Sequence, residues 1–276
     1  MRVKNHRLCA EDGEPVNLVR SPNQRAGLSA RYLVIHYTAG ASAESSVRHL
    51  TNRTSKASAH LVIARDGNIT QLVPFNRIAF HAGTSRWQGH IGMNRHSIGI
   101  ELDNAGKLRG GEGQWHSWFG RAYPDDEVVV AAHKFEDLES GWHDYPETQL
   151  IATMEAAEAI FAHYGLIDVL GHDDIAPERK KDPGPAFPMD SFRARLVGRA
   201  SDDFEQFKTT ATLNVRTGPG VQFDKLDDSP LAKGTQLLSE VRDGSWHFVE
   251  VLDQSGEATL TGWVHGNYIA PVPAAA

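Results

Sequence analysis

Cysteine is nearly absent from this chain of 276 residues, with Cys9 the only one. A single thiol excludes an intramolecular disulfide and a thiolate-rich metal cluster, so any metal site has to be built from nitrogen and oxygen. Positive charge is also in short supply: 28 Lys and Arg face 35 Asp and Glu. The deficit runs through both halves, since only four basic residues stand against eight acidic ones from Thr209 onward. Such a balance argues against a grip on nucleic acid. No apolar run approaches the roughly 20 residues of a membrane span. The basic start Met1-Arg2-Val3-Lys4 runs into Glu11 and Asp12 without the apolar core of a secretory signal. The chain as encoded is therefore expected to be soluble and cytoplasmic, with room for one or two domains.

What is present is a loop dense in ligand chemistry, Gly171-His172-Asp173-Asp174-Ile175-Ala176-Pro177-Glu178-Arg179-Lys180-Lys181-Asp182-Pro183-Gly184-Pro185. His172 offers an imidazole nitrogen and Asp182 an oxygen, and Lys180 stands two residues before that carboxylate. Zinc takes such ligands tetrahedrally, and a catalytic site uses three of them plus water. A third ligand must then come from elsewhere. The candidate is His36, which closes the apolar, β-branched and aromatic run Tyr32-Leu33-Val34-Ile35 just before small residues and Gly40. That run reads as a buried strand, and strand ends are where α/β proteins place their sites. Alone, a strand histidine is more often a hydrogen-bonded core residue; the combination is what favours a ligand.

Five segments in this order carry a family resemblance: VIHYTAG at 34–40, SAHLVIARDGNITQLVP at 58–74, FHAGTS at 80–85, NRHSIGIELDN at 94–104 and GHDDIAPERKKDPGPAF at 171–187. Together they resemble the zinc-dependent N-acetylmuramoyl-L-alanine amidases of amidase type 2, which share a fold with phage amidase lysozymes and peptidoglycan recognition proteins. The likeness extends from about Ser21 to about Phe192. It implies an α/β fold, a mixed central β-sheet flanked by helices. It further implies His36, His172 and Asp182 as ligands of one catalytic Zn2+, with Glu101 and Lys180 as the catalytic side chains. The implied substrate is peptidoglycan or a muropeptide, cut at the amide between N-acetylmuramic acid and L-alanine in wall lysis or recycling. The cytoplasmic start fits recycling of wall fragments, or release through a lysis or secretion system as an endolysin-like enzyme.

Residue types agree with that chemistry. Zinc supplies Lewis acidity and brings the pKa of water down to about 7. Glu101 is expected to move the proton from water to the leaving nitrogen, and Lys180 to stand by the developing oxyanion. Strict alternation puts Glu101 with Gly99 and Ser97, on the face opposite Ile98 and Ile100. His60 and His81 are expected to line the groove or to fix the ligand rings from behind, and Asn94 to touch substrate. One of Asp173 and Asp174 is expected to orient His172. His49, His96, His116, His133, His143 and His163 read as surface or packing residues. Some members of the superfamily use a tyrosine just before the position of His60; Ala59 stands there, so that role is unfilled. Non-catalytic recognition relatives often lack a ligand at the place of Asp182. A protein that binds wall fragments without cutting them is therefore the alternative, and the complete set argues for the enzyme.

Beyond residue 198 the rhythm changes. A catalytic domain is expected over 1–198 with its core at about 21–192, a linker over 199–208, and a small all-β domain over 209–276. Short alternating strands with Gly and Pro turns indicate a small barrel. LNVRTGPG, KGT, GSWHFVEV and GWVHGNYI in that order resemble bacterial SH3 domains, which implies cell-wall binding, with Trp246, Trp263 and Tyr268 as stacking candidates. Core roles come first for Trp246 and Trp263, because small barrels need large side chains to fill them. Within the first domain a helix is expected over Ser42–Asn52, and a hairpin turn at Asp66-Gly67-Asn68. A second helix is expected from Pro146 to Gly165, with Leu150, Ile151, Met154, Ala157, Ile160 and Phe161 facing the sheet. A long insertion between Gly106 and Tyr145 is expected to shape the groove.

Overall fold

The computed structural model describes residues 1–197, 205–253 and 256–272. These form two compact units: Met1–Ser85 with Gly92–Val197, and Arg86–Ile91 with the chain beyond Gly198. Among the described residues no helix is long and apolar enough to cross a membrane.

The first unit is built on a six-stranded mixed sheet. Its strands are β1 (Asn17–Leu18), β2 (Tyr32–Tyr37), β3 (Leu61–Ile63), β4 (Ile69–Gln71), β5 (Ser97–Leu102) and, after a separate hairpin of β6 (Val128–Ala132) and β7 (Glu139–His143), β8 (Asp168–Gly171). Their spatial order is β8-β2-β5-β3-β4-β1. β8, β2, β5 and β3 run parallel, and β4 returns antiparallel to β3 through the expected turn. At that turn Gly67 has φ +86°, and Asp66 Oδ1 accepts from the Asn68 N–H.

Alternation decides what each face of the sheet does. Leu33, Ile35, Leu61, Ile63, Ile98, Ile100, Leu102 and Val169 enter one core cluster. Helix α2 (Glu147–Tyr164) packs there, opening after Pro146 and closing at Gly165 in the left-handed conformation. Its buried face differs from the expected one. Gln149, Ala152, Thr153, Ala156, Ala157, Ala159 and Ile160 are buried, while Leu150, Met154 and Phe161 are only partly covered and Ile151 is exposed. Four alanines let the helix backbone approach the sheet, which turns the larger side chains toward its flanks. Gln149 stitches helix to sheet, its amide donating to Ile63 O and Asp103 O. The opposite face carries Tyr32, Val34 and His36 of β2 in register with Ser97, Gly99 and Glu101 of β5. Helix α1 (Ala43–Leu50), capped by Ser42 and two residues shorter at its end than the expected Ser42–Asn52, covers part of that face through Val47 and Leu50 against Val62.

The second unit is a five-stranded antiparallel sheet of β9 (Glu205–Thr209), β10 (Gln236–Asp243), β11 (Trp246–Leu252), β12 (Ala258–His265) and β13 (Ile269–Pro271), in the order β12-β11-β10-β9-β13. Of the expected linker, residues 199–204 lie outside the described residues and 205–208 already belong to β9. Phe207, Val215, Leu237, Val249 and Val264 fill its core. Trp263 is fully buried, its indole donating to Gln88 O at 3.1 Å. Trp246 is only partly buried, lying edge-on to His265, so the core role expected for both tryptophans holds in full for Trp263 alone.

One ion pair ties the edge of the first sheet to its last helix. Asp168, 1% exposed at the start of β8, accepts from Arg193 Nε at 2.8 Å and Nη2 at 2.5 Å. Removing one partner of a buried pair strands the other. Arg193→Ala is therefore expected to cost about 2 kcal/mol, less than a fully buried pair because the guanidinium is half exposed. Adding Asp168→Asn should recover part of that loss, as read by urea unfolding.

Candidate metal centre

Three expected ligand residues meet. His36 lies near the carboxyl end of β2 on the face away from α2. β8 runs beside it, and the chain leaving Gly171 turns at once into a short helical turn that starts with His172. Asp182 is carried back to the same place, because its carbonyl accepts from the Asp173 N–H at 2.9 Å. His36 Nδ1 and His172 Nδ1 lie 2.8 Å apart, and Asp182 Oδ2 is 2.9 Å from the first and 2.8 Å from the second. All three residues are at most 5% exposed.

The outer ring nitrogens are occupied by the protein. His36 Nε2 is 2.9 Å from His81 Nδ1, and His172 Nε2 donates to Ala82 O at 3.2 Å. Both inner nitrogens are thereby free to present lone pairs beside the carboxylate. Burial, reinforced by His172, lowers the His36 pKa to about 4, which favours the neutral ring that a cation requires. For Asp182 burial alone would raise the pKa, but the short contacts with His172 and His36 outweigh it and hold the carboxyl well below its usual range. Two imidazoles and one carboxylate fit the donor set of a zinc site with three protein ligands.

Glu101 pairs in register with His36 on the neighbouring strand, so the alternation read from sequence places it on the ligand side. The residue is partly exposed, yet Oε2 is out of solvent without a hydrogen-bond partner. Burial pushes its pKa up to about 8, with a contribution from the charge on Asp182 and an opposing one from Lys180. The Lys180 ammonium thus acts on Glu101 and also on His36. Glu101 opens onto a cavity of about 280 Å³ lined by Thr38, Ala39, Gly40, Ser46 and Trp118. Trp118 comes from the long insertion and is 63% exposed, its indole anchored on Ala39 O at 2.7 Å. Sequence reasoning noted the insertion without singling out this side chain.

Of the two places expected for His60 and His81, the structure shows the one behind the candidate ligands, and Asn94 joins them there. His60 is fully buried and commits both ring nitrogens, accepting from Gly99 N and donating to Arg77 O. It braces the sheet and offers nothing to a substrate. His81 packs over Gly99, where an added Cβ would come within 2.5 Å of the ring. With Nδ1 against His36 and Nε2 toward Ser97 O, it fixes the His36 tautomer. Asn94 Oδ1 accepts from the N–H groups of His81 and Ala82, so it holds the segment on which both ligand rings lean.

Residues 26–185 match the family described as N-acetylmuramoyl-L-alanine amidase. The N-acetylmuramoyl-L-alanine amidase AmiD of Escherichia coli K12 is 32% identical over 192 residues, covering 66% of this chain and 59% of AmiD. The 1,6-anhydro-N-acetylmuramyl-L-alanine amidase AmpD of Salmonella typhimurium SL1344 is 36% identical over 144 residues, covering 51% of this chain and 58% of AmpD. The chain thus spans under two thirds of the length of these relatives. Among solved structures, AmiD from E. coli with the substrate anhydro-N-acetylmuramic acid-L-Ala-D-gamma-Glu-L-Lys aligns at 31% identity with a TM-score of 0.46, covering 67% of this chain and 63% of that one.

Two outcomes follow from the geometry. Gly99→Ala is expected to displace His81 and release the His36 ring, seen as loss of the single Nε2–H tautomer of His36 in long-range 1H–15N spectra; an unchanged tautomer would show that His81 does not hold it. The second concerns Glu101, whose folded-state pKa lies above its ordinary 4.5. Its contribution to stability is present below about pH 4.5 and is lost as pH rises through about 8. In chelator-treated protein, Glu101→Gln should therefore gain stability relative to the parent progressively over that window, with no gain at pH 4, measured by urea unfolding.

Proposed function

The chain belongs to the N-acetylmuramoyl-L-alanine amidase family, and from that membership we propose that it hydrolyses the amide between N-acetylmuramic acid and L-alanine in peptidoglycan or muropeptides. The observation that carries the reading is the convergence of His36, His172 and Asp182 beside Glu101. His36, His172 and Asp182 would hold one Zn2+. Bound there, zinc supplies Lewis acidity toward the scissile carbonyl and makes water acidic enough to attack near neutral pH.

The chain's own side chains account for the rest. Glu101, sequestered and with its pKa raised toward neutrality, takes a proton from the attacking water and returns it to the departing amine nitrogen of L-alanine. The lactyl carbonyl carbon keeps the water oxygen as a carboxylate, and the peptide leaves with a free amino terminus. Lys180, whose charge already reaches Glu101, stands by the oxyanion that develops on the carbonyl oxygen. Asp182 disfavours the alternative of recognition without cleavage, because it completes the set of three ligands. The second unit we read as an SH3-like barrel that helps hold the enzyme on the wall, with the exposed Tyr268 and partly exposed Trp246 lining a cavity of about 510 Å³.

The test incubates zinc-loaded protein with intact sacculi and, separately, with anhydro-muropeptides, and reads new L-alanine amino termini by mass spectrometry. Release is expected, with loss on chelation and recovery on adding zinc. A folded, zinc-loaded protein that releases none from either substrate overturns the proposal. Asp182→Ala should lose the metal and at least about 100-fold in activity while its circular dichroism is unchanged; full activity in that variant would refute its place among the ligands.

A further inference from the structure

Two of the three candidate ligands, His172 and Asp182, ride on one segment that β8 supports only at its start. Within it, backbone turns close on His172 O and Ala176 O. Asp174 Oδ2 accepts from the Gly171 N–H, and the Asp173 N–H reaches Asp182 O. Outside it, His172 bonds to Ala82 O and Arg179 to Ala82 O and Thr84 O, and a further set of restraints comes from the long insertion, chiefly from the hairpin of β6 and β7. His133, read from sequence as a surface or packing residue, is 2% exposed there and its Nε2 lies 3.0 Å from Asp173 Oδ2. Its Nδ1 accepts from the Phe135 N–H, so the proton sits on Nε2 and that nitrogen donates to Asp173. The ring is stacked on Trp142, with centroids 5.7 Å apart.

Lys134 adds a cation to the same place. Its Nζ lies 3.0 Å from Asp173 Oδ1 and also pairs with Asp174. Further along, Glu136 pairs with Lys181, the residue before Asp182, while also holding Lys107. Beyond Asp182, Tyr145 Oη donates to Pro183 O at 2.8 Å, and Trp142 lies so close to Gly184 that a Cβ there would meet its ring at 2.8 Å. The hairpin and Tyr145 just beyond it therefore hold the ligand segment between and after its two ligands.

We propose that His133 and Lys134 are positioning residues for the metal centre, which set its affinity and geometry through Asp173 without touching the ion or the substrate. The inference rests on the zinc reading above. Asp173 sits next to His172 and holds Asp182 by its backbone, so a shift of its carboxylate moves both ligands relative to His36. A cavity of about 420 Å³ bordered by His133, Lys134, Asp173 and Gly184 leaves Asp173 room to swing away once its partners are removed.

The experiment measures zinc affinity by competition with a chromogenic chelator and records the visible spectrum of the Co2+-substituted protein. It uses the full chain and His133→Ala, His133→Gln, Lys134→Met and Lys134→Arg, with urea unfolding of each metal-free form. His133→Ala and Lys134→Met should weaken zinc binding by about 10- to 100-fold and alter the Co2+ bands. His133→Gln, which keeps a donor at the place of Nε2, and Lys134→Arg, which keeps the charge, should stay within about threefold of the parent. Lys134 is partly exposed, so its variants keep the test open if His133→Ala fails to fold. Unchanged affinity and spectrum in Lys134→Met and in any folded His133→Ala would overturn the inference while leaving the zinc reading intact. Equal losses in the conservative and truncating variants would also overturn it. No zinc binding by the parent protein would overturn both.

Discussion

Two imidazole nitrogens and a carboxylate oxygen lie within 2.9 Å of one another under the surface of the first unit. Lone pairs brought so close and out of water repel unless a proton or a cation lies among them. A site of this kind is stable only if its ligand rings cannot turn away, and here both outer nitrogens are tied to the protein. His36 leans on His81 and His172 on Ala82 O. His81 in turn needs Gly99 beneath it, and Asn94 holds the backbone of both His81 and Ala82. The candidate cation site is the inner surface of a hydrogen-bonded layer two residues deep.

That layer is compatible with a well-packed core because one sheet serves both. Register pairs Glu101 with His36, and Gly99 with Val34, on adjacent parallel strands, so each strand sends apolar side chains toward α2 and functional ones the other way. A slip of one residue would bury the carboxylate among the isoleucines and expose them in its place. The alanine-rich face of α2 fills the other side at close range, which keeps β2, β5 and β3 from shifting past one another. The isolation that raises the Glu101 pKa is thus a by-product of ordinary packing.

Local pattern made much of this legible. The β2 run, the turn at Gly67, the Gly165 stop and the face carrying Glu101 all rest on alternation or on turn and cap chemistry within a few residues. The triad of His36, His172 and Asp182 was legible because its residue types have few other uses together. For His60 and His81 the choice between groove and backing stayed open, and Asn94 was expected to touch substrate, because a motif marks a residue as fixed without saying which way it faces. Their actual partners, Arg77, Ser97 and Ala82 among them, are specified by loop paths that no period encodes. His133 packs as one of its two readings had it, buried against Trp142, but its bond to Asp173 was not legible, because that partner lies 40 residues away across an insertion with no repeating pattern. Arg86–Ile91 grouping with the second unit is likewise a long-range event, invisible to composition.

The insertion also shows how a long excursion can be ordered without becoming a loose lid. Ordering some 40 residues costs conformational entropy of roughly 1 kcal/mol or more for each, which only burial and satisfied hydrogen bonds offset. Ala105, Leu108, Trp115 and Tyr123 form a small core of their own. Its two ends are stapled by one side chain, for Asn104 donates to His143 O and Asp144 O and accepts from the Gly106 N–H. Asn104 stands three residues after Glu101, so the insertion is rooted next to the strand that carries Glu101. From that root it reaches Ala39 through Trp118 on one side and Asp173 through His133 on the other. A displacement of the ligand segment would therefore be transmitted to the strand of Glu101, and the distance between carboxylate and ligands is held by the excursion as well as by the sheet.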